Sequence, residues 1–210
     1  MSAPEKLYSA PLLVNWSLNY SCNFSCEHCY SRFEKADELP TDQLLAAGRR
    51  LAKAGVLFAN FGGGEPLLRR DLLSVSRELA ALGLSLSMNS NGWLLDEAAA
   101  EGLRDAGFVS VGLSLDSHRP EVHDRFRNRT GSFDRVVAAA GHLVRAGVKL
   151  TISTVVCRIN HQVLTPLVRL APCKATEAQV QWLGLNGWTA MKRGSPSNPP
   201  GGLDEGQIQA

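Results

Sequence analysis

The chain has 210 residues, 44% of them hydrophobic, and its 22 basic and 20 acidic residues leave a formal net charge of +2. This length and apolar content are sufficient for one domain with a substantial core. The basic residues are scattered, and neither a secretory signal pattern nor an apolar run of about 18 residues occurs. The composition therefore favours no nucleic-acid or membrane partner. We expect a cytoplasmic protein in which the cysteines bind metal or do redox chemistry.

Apolar runs rich in β-formers alternate along the chain with segments of helical period. This alternation predicts βα units that feed a parallel sheet. We predict strands at residues 11–18, 56–61, 84–90, 108–115 and 148–156. We predict helices at residues 41–55, 70–83, 95–107 and 133–147, with Thr41 as the N-cap of the first helix and a short helical piece before the last.

The signal weakens after residue 160. Residues 178–185 are a plausible sixth strand, and residues 186–210 are rich in Pro, Gly and Ser, which predicts a mobile tail. Six βα units without the last helix would form an α/β partial (βα)6 barrel with a parallel sheet, so we assign residues 1–185 to one core domain. In such a barrel the active site lies at the carboxyl ends of the strands.

The segment CNFSCEHCY follows the first predicted strand and brings three cysteines, Cys22, Cys26 and Cys29, into one short loop. Three thiolates on one loop can hold three corners of a cubane iron-sulfur cluster, because such clusters are ligated by cysteine sulfur. The fourth iron then stays open to an external ligand. The loop therefore predicts an iron-sulfur site that also binds a small molecule.

A zinc site is the alternative interpretation of these cysteines. Structural zinc normally takes four protein ligands, so the site would have to recruit His28, Cys157 or Cys173. The C-x3-C-x2-C spacing differs from the paired C-x2-C of most zinc sites and favours the cluster. The histidines elsewhere in the chain are expected at surface or capping positions and are assigned no role as ligands.

On these residues the sequence resembles the radical S-adenosylmethionine (radical SAM) enzymes over about residues 12–160. The form of the cysteine loop is similar to the branch that modifies peptides or matures peptide-derived cofactors. The resemblance implies that Cys22, Cys26 and Cys29 hold a 4Fe-4S cluster whose open iron binds S-adenosylmethionine. It also implies reductive cleavage of that cofactor to a 5′-deoxyadenosyl radical, with electrons from a protein such as flavodoxin or ferredoxin.

Further motifs at the ends of later strands resemble the cofactor contacts of this family. The segment FGGGEP resembles the family's GGE motif, which implies that Gly63, Gly64 and Glu65 hold the amino group of the methionyl moiety. Consecutive glycines also let the backbone approach a ligand closely. The resemblance places Asn91 of the SNG segment beside the cofactor, and Ser114 of the SLD segment near its carboxylate and ribose.

Arg127 resembles a family arginine that pairs with the cofactor carboxylate, a geometry that suits a guanidinium. The alternative is that Arg125, Arg127 and Arg129 form a solvated surface. Asp116, also at the end of the fourth strand, needs a ligand or a charged neighbour if it is buried.

Peptide-modifying members of the family usually continue past the sixth strand into a cysteine-rich domain, and this chain does not. Three hypotheses stay open: an enzyme acting on a peptide or small-molecule substrate, a truncated or non-catalytic cluster-binding module, and a zinc-binding structural protein. The incomplete last unit would expose a sheet edge, which suggests a partner protein or a dimer. No residue is assigned to catalysis on the substrate.

Overall fold

The structure is a computed structural model that describes residues 11–26, 28–29, 31 and 37–156 and the backbone of residues 177–182. Its strands are β1 (Leu13–Asn19), β2 (Phe58–Gly63), β3 (Ser85–Ser90), β4 (Phe108–Ser114), β5 (Lys149–Val156) and β6 (Glu177–Trp182). Its α-helices are α1 (Thr41–Lys53), α2 (Leu72–Ala81), α3 (Glu97–Asp105), α4 (Pro120–Arg127) and α5 (Ser132–Ala146).

The six strands form one sheet in the order of the chain, β1-β2-β3-β4-β5-β6, and every neighbouring pair is parallel. A helix connects each strand from β1 to β4 with the next, and α4 and α5 both lie between β4 and β5. This arrangement confirms the predicted α/β class and the parallel sheet of a partial barrel. The predicted tail and the connection between β5 and β6 lie outside the described residues.

The start of α1 differs from the prediction. Thr41 is the first residue of the helix, and Pro40 occupies the N-cap position without a side-chain hydrogen bond. The Thr41 hydroxyl instead donates to the Asp71 carboxylate ahead of α2. The other helix boundaries were predicted closely. Glycines in the left-handed region follow the helices at the predicted ends, as Gly147 with φ of 79° does after α5.

One face of the sheet packs against the helices and forms the core. Five residues on this face are register partners across five successive strands: Trp16, Phe61, Met88, Val111 and Leu150. All but the tryptophan are at most 1% exposed. Full burial of such a side chain stabilises the fold by about 1.5–3 kcal/mol, so this row fixes which face of each strand turns toward the helices.

The opposite face of the sheet carries a row of polar side chains, since successive side chains of a strand alternate between faces. Asn60 Nδ2 donates to Asn15 Oδ1 at 3.0 Å, and Ser87 Oγ donates to Asn60 Oδ1 at 3.1 Å. Asn89 lies over Gly112, where a Cβ atom would come within 2.3 Å of its Oδ1. The concave side of the partial barrel is therefore lined with hydrogen-bonding groups.

Within the part of the chain that the structure describes, every helix is too short or too polar to cross a membrane.

Candidate functional site

The cysteine loop leaves the carboxyl end of β1 and presents its three thiols at different depths. Cys22 is exposed, Cys29 is intermediate and Cys26 is buried. The loop is held by its own backbone, since Phe24 N donates to Cys22 Sγ at 3.4 Å and Cys29 N donates to Cys26 O at 3.2 Å. Three thiols on one folded loop are a suitable donor set for a cluster with one open iron.

Burial suppresses ionisation of two of these thiols. It raises the pKa of the Cys26 thiol to about 11, although the positive charge of Arg127 works against this rise. Partial desolvation by the surrounding loop also raises the pKa of the Cys22 thiol, although the residue as a whole is exposed. Metal ligation requires thiolates, so binding of iron has to displace these protons. Because Cys26 lies beside a guanidinium, the most buried thiol has a positive charge in place to favour its ionised form.

Ser31 links the third cysteine to the neighbouring strand. Its hydroxyl lies 3.2 Å from Cys29 Sγ and donates to the carbonyl of Gly63 at 3.0 Å. The end of the cysteine loop is thereby connected to the end of β2, which also begins the glycine segment.

The glycines Gly63 and Gly64 allow β2 to approach the start of the cysteine loop. Gly64 N donates to Asn19 O at 2.8 Å, and a Cβ atom on Gly63 would lie 2.1 Å from that same oxygen. A Cβ atom on Gly64 would lie 2.0 Å from Ser21 O, and Gly63 has a positive φ of 114°. Close backbone approach was predicted here, and the structure shows that the approached group is the backbone of the cysteine loop.

Glu65 joins the ends of three strands. The residue is 1% exposed. Its Oε1 accepts from Ser90 Oγ at 2.9 Å, and its Oε2 accepts from Asn91 N at 2.8 Å. Burial raises the pKa of the Glu65 carboxyl, and the hydrogen bonds that it accepts oppose that rise. Asn19 Nδ2, from the end of β1, donates to the Glu65 carbonyl at 2.9 Å.

Asn91 connects the end of β3 with the cysteine loop. Its Nδ2 donates to Asn23 Oδ1 at 2.8 Å and lies 3.9 Å from Cys22 Sγ, while its Oδ1 accepts from Trp93 N at 2.9 Å. The structure thus brings together the cysteines, the glycine segment and Asn91, residues that lie as many as 69 positions apart.

Arg127 forms a buried ion pair with Asp116. The distance from Arg127 Nε to Asp116 Oδ2 is 2.5 Å, and the guanidinium also hydrogen-bonds the sulfur of Cys26. Burial alone would raise the pKa of the Asp116 carboxyl. The charge and hydrogen bond of Arg127, together with the nearby His28 and His123, outweigh burial and hold that pKa below the usual value. The interpretation of Arg127 as part of a solvated surface is therefore wrong, and the charged neighbour that a buried Asp116 requires is this arginine.

The other predicted residues of this region lie around the ion pair. Ser114 ends β4 and is half-buried, next to Ser153 of β5 in the register of the sheet. Arg125 and Arg129 are exposed, as the solvated-surface interpretation predicts for them.

His123 is the clearest residue that the sequence analysis missed. We expected a surface or capping position, but the side chain is 1% exposed and its Nδ1 accepts from Asp116 N at 3.2 Å. Burial lowers the pKa of His123 to about 4. The sequence of α4 did contain a signal for this burial. The apolar residues Val122 and Phe126 lie on the same helical face as His123.

His28, between Cys26 and Cys29, stacks on Phe126 with ring centroids 4.1 Å apart and is also buried. Burial lowers the pKa of His28 to about 4. Among the described residues, no group of three or more His, Cys, Asp or Glu side chains is arranged to hold one metal ion. Cys157 and Cys173, which the zinc alternative could recruit, lie outside the described residues.

Asn19 and Ser90 were also not singled out from the sequence. Each is buried and polar and stands at the last position of its strand. Polar residues at the carboxyl ends of parallel strands are a recognisable signal, and a systematic search of those positions would have found both.

Comparison with known proteins identifies a family whose model matches most of the chain. The model of the Radical SAM superfamily matches residues 16–171. The PqqA peptide cyclase of Rhizobium meliloti is 30% identical over 187 residues, which cover 87% of this chain and 50% of the cyclase. The AdoMet-dependent heme synthase of Methanosarcina barkeri is 34% identical over 166 residues, which cover 78% of this chain and 48% of the synthase.

A solved structure shows the same fold. Streptococcus suis SuiB bound to precursor peptide SuiA superposes with a TM-score of 0.76 at 20% identity, and the match covers 89% of this chain and 43% of SuiB. The chain thus spans about half the length of the curated relatives it matches. The family match covers most of the chain, and it includes the cysteine loop and the strand-end motifs. The chain therefore belongs to the radical SAM superfamily.

Proposed function

We propose that this protein is a radical SAM enzyme that acts on a peptide or a peptide-derived cofactor precursor. Cys22, Cys26 and Cys29 would hold a 4Fe-4S cluster. The observation that carries the proposal is that Asn91 contacts both Glu65 and Cys22 of the cysteine loop at the carboxyl end of the sheet. When bound, the cluster and S-adenosylmethionine supply a 5′-deoxyadenosyl radical, formed as one electron breaks the C5′–S bond and releases methionine.

The residues of the site have distinct roles in this proposal. Gly63, Gly64 and Glu65 hold the methionyl amino group, Asn91 lies beside the cofactor, and Ser114 lies near its carboxylate and ribose. The hydrogen bonds of Glu65 to the β3 end support a fixed position for its carboxylate before any ligand binds.

Arg127 is proposed to pair with the carboxylate of the cofactor. A guanidinium has five N–H donors. The Nε of Arg127 donates to Asp116 Oδ2, and the Cys26 sulfur accepts from the same guanidinium. The donors that neither Asp116 nor Cys26 engages would serve the carboxylate of the cofactor. Asp116 would then orient the guanidinium as well as neutralise it.

The substrate class rests on the relatives and on the concave face of the sheet. The PqqA peptide cyclase supports a peptide, and the AdoMet-dependent heme synthase supports a small molecule as the alternative. The polar row that includes Asn15, Asn60 and Ser87 offers hydrogen-bonding groups to either substrate. A cytoplasmic location, an electron-donor protein such as flavodoxin or ferredoxin, and a partner or dimer at the sheet edge complete the proposal.

A cluster-binding module without turnover is the second candidate, because three cysteines on one loop account for cluster binding whether or not S-adenosylmethionine is cleaved. The two candidates differ in whether S-adenosylmethionine is cleaved. The test is chromatographic detection of 5′-deoxyadenosine after anaerobic reconstitution with iron, sulfide and S-adenosylmethionine and reduction with dithionite.

The control is the triple variant of Cys22, Cys26 and Cys29 to Ala. Product from the native protein and none from the variant is the expected result. Full iron and sulfide content without 5′-deoxyadenosine would overturn the enzyme proposal and leave the cluster-binding module. Zinc in place of iron in the isolated protein would overturn both.

A further inference from the structure

An aromatic and cationic cluster lies on the surface beside the cysteine loop and has no role in the function proposed above. We call it the arginine-aromatic patch, and it consists of Phe24, Trp93, Arg129 and Arg135. The rings of Phe24 and Trp93 meet edge to face with centroids 5.7 Å apart. The guanidinium carbon of Arg129 lies 4.2 Å from the Trp93 ring centroid and 5.9 Å from that of Phe24, and that of Arg135 lies 5.4 Å from Trp93.

The charges of this patch face solvent. Arg129 and Arg135 are exposed, and the two aromatic rings beneath them are half-buried. Within the part of the chain that the structure describes, neither arginine forms an ion pair with a carboxylate, in contrast to Arg127. Exposed Arg125 adds a third positive charge nearby in the sequence. The surface is suited to a partner with carboxylates.

The patch is joined directly to the proposed cluster ligands. Phe24 lies between Cys22 and Cys26, and its backbone N donates to Cys22 Sγ at 3.4 Å. Cys22 is itself exposed. Trp93 follows Asn91, whose side chain lies 3.9 Å from the same sulfur. A protein docked on the patch would stand beside the most exposed thiol of the site.

The patch is also held in place before any partner arrives. Asn128, in the left-handed conformation with φ of 51°, donates from Nδ2 to Ser25 Oγ at 2.9 Å and so fixes the end of α4 to the cysteine loop. Stacking on Trp93 restricts the Arg129 side chain. Such preorganisation reduces the entropy lost on association.

We propose that the arginine-aromatic patch is the docking surface for an acidic protein that donates one electron, a low-potential flavin or iron-sulfur protein. The inference rests on the proposed function and names the place where its reductant binds. In the step, the reduced donor loses one electron, the cysteine-ligated site gains it, and no atom is transferred. The oxidised donor then leaves.

Three properties of the patch favour this partner. Electron transfer falls off steeply with distance, and the patch adjoins an exposed cysteine. Complexes of redox proteins are weak and small, so a surface of a few residues suffices. Charged rims of this kind mainly accelerate encounter, and arginine and tryptophan are enriched among residues that dominate binding.

The test compares the double variant Arg129→Glu and Arg135→Glu with Arg145→Glu as a matched control. Arg145 is exposed at the opposite end of α5, about 15 Å along the helix from Arg135. The probe is an acidic flavodoxin. Its binding is measured by isothermal titration calorimetry, and its transfer of one electron to the reconstituted protein is followed by anaerobic stopped-flow absorbance at low and high salt.

We expect the double variant to bind flavodoxin at least about ten-fold more weakly at low salt and to lose most of the salt dependence of the rate. Arg145→Glu and the native protein should behave alike, and reduction by dithionite should be equal in all three. If the double variant is poorly folded, the pair Arg129→Gln and Arg135→Gln is measured in its place, with a smaller loss in the same direction.

Unchanged flavodoxin binding and transfer in a folded variant would overturn the inference. Loss of binding to an acidic peptide with unchanged flavodoxin binding would also overturn it and would assign the patch to a substrate. Calorimetry of the two proteins needs no turnover, so its result is independent of whether 5′-deoxyadenosine is formed with dithionite.

Discussion

Arg127 and Asp116 form a buried ion pair that fixes the end of α4 to the segment after β4, with Nε 2.5 Å from Oδ2. The same guanidinium hydrogen-bonds the sulfur of Cys26. One arginine therefore connects the electrostatics of the cysteine loop with those of the strand ends. Arg127 makes both of these contacts within the protein itself, before any cofactor is bound.

Replacement of Arg127 by Ala should be strongly destabilising, because it leaves the Asp116 carboxylate buried and unpaired. Breaking a buried pair from one side costs about 3–5 kcal/mol. The double variant Arg127→Ala and Asp116→Asn should lose less free energy of unfolding than the sum of the losses in the two single variants. Urea unfolding followed by circular dichroism measures these free energies.

The control for this pair lies at the other end of the same helix, where Arg119 is the N-cap residue of α4. Arg119 pairs with Glu121 at 2.7 Å on the surface, with its side chain 56% exposed. Arg119→Ala should cost at most about 1 kcal/mol, as exposed pairs do. Equal losses for Arg127→Ala and Arg119→Ala would contradict the assignment of a structural ion pair.

Gly64 and Gly62 provide a sharp test of the backbone contact between β2 and the cysteine loop. Gly64→Ala would place a Cβ atom 2.0 Å from Ser21 O, whereas a Cβ atom on Gly62 meets nothing within 4 Å. We expect Gly64→Ala to lower the free energy of unfolding by about 1–3 kcal/mol and to reduce iron uptake. Gly62→Ala should retain the native free energy of unfolding and the native iron uptake. A similar loss of stability and iron uptake in the two variants would refute the close approach.

Much of the fold was accessible from the sequence because the alternation of strand and helix is regular. The order and direction of the strands followed from that alternation. The predicted boundaries of β1 to β5 were off by at most two residues, and β6 ends three residues earlier than predicted. β2 extends to Gly63 instead of ending at residue 61, because the glycine backbone continues to pair with Asn19. Such pairing depends on the partner strand and leaves no local pattern.

The site was accessible only in part. The cysteines and the glycine segment are contiguous motifs, so sequence spacing reveals them. The contacts of Arg127 with Asp116, and of Asn128 with Ser25, join residues 11 and 103 positions apart. Their pairing arises from how α4 packs over the cysteine loop, and no local periodicity encodes it.

Asn91→Ala should weaken the connection between β3 and the cysteine loop. The change removes the hydrogen bond to Asn23 and the contact with Cys22 Sγ. We expect a loss of about 0.5–1.5 kcal/mol of stability for the lost hydrogen bond, together with fewer iron atoms retained per chain after gel filtration. Iron and sulfide assays provide the measurement.

Asn60→Ala is the control for Asn91, since Asn60 bonds to Asn15 and Ser87 on the concave face and not to the cysteine loop. Asn60→Ala should lower the free energy of unfolding without lowering the number of iron atoms retained per chain. Equal iron retention in Asn91→Ala and the native protein would contradict a role for Asn91 in holding the loop.

Acidification should destabilise the protein through His123. Burial lowers the pKa of His123 from 6.5 to about 4, and its Nδ1 must stay unprotonated to accept from Asp116 N. Between these two values the unfolded chain binds a proton that the native protein does not. The contribution of His123 to the free energy of unfolding therefore falls as the pH drops from 6.5 toward 4, by up to about 1.4 kcal/mol per pH unit. His28, whose pKa is also lowered to about 4, adds to this fall. Asp116, whose pKa is held below 3.8, acts only at lower pH.

The measurement is urea unfolding of metal-free protein at several pH values between 7.5 and 4.5. His123→Asn should remove about one proton from the pH dependence in this window, because asparagine keeps an acceptor for Asp116 N but does not titrate. An unchanged slope in His123→Asn would show that His123 is not the buried neutral group that the structure contains.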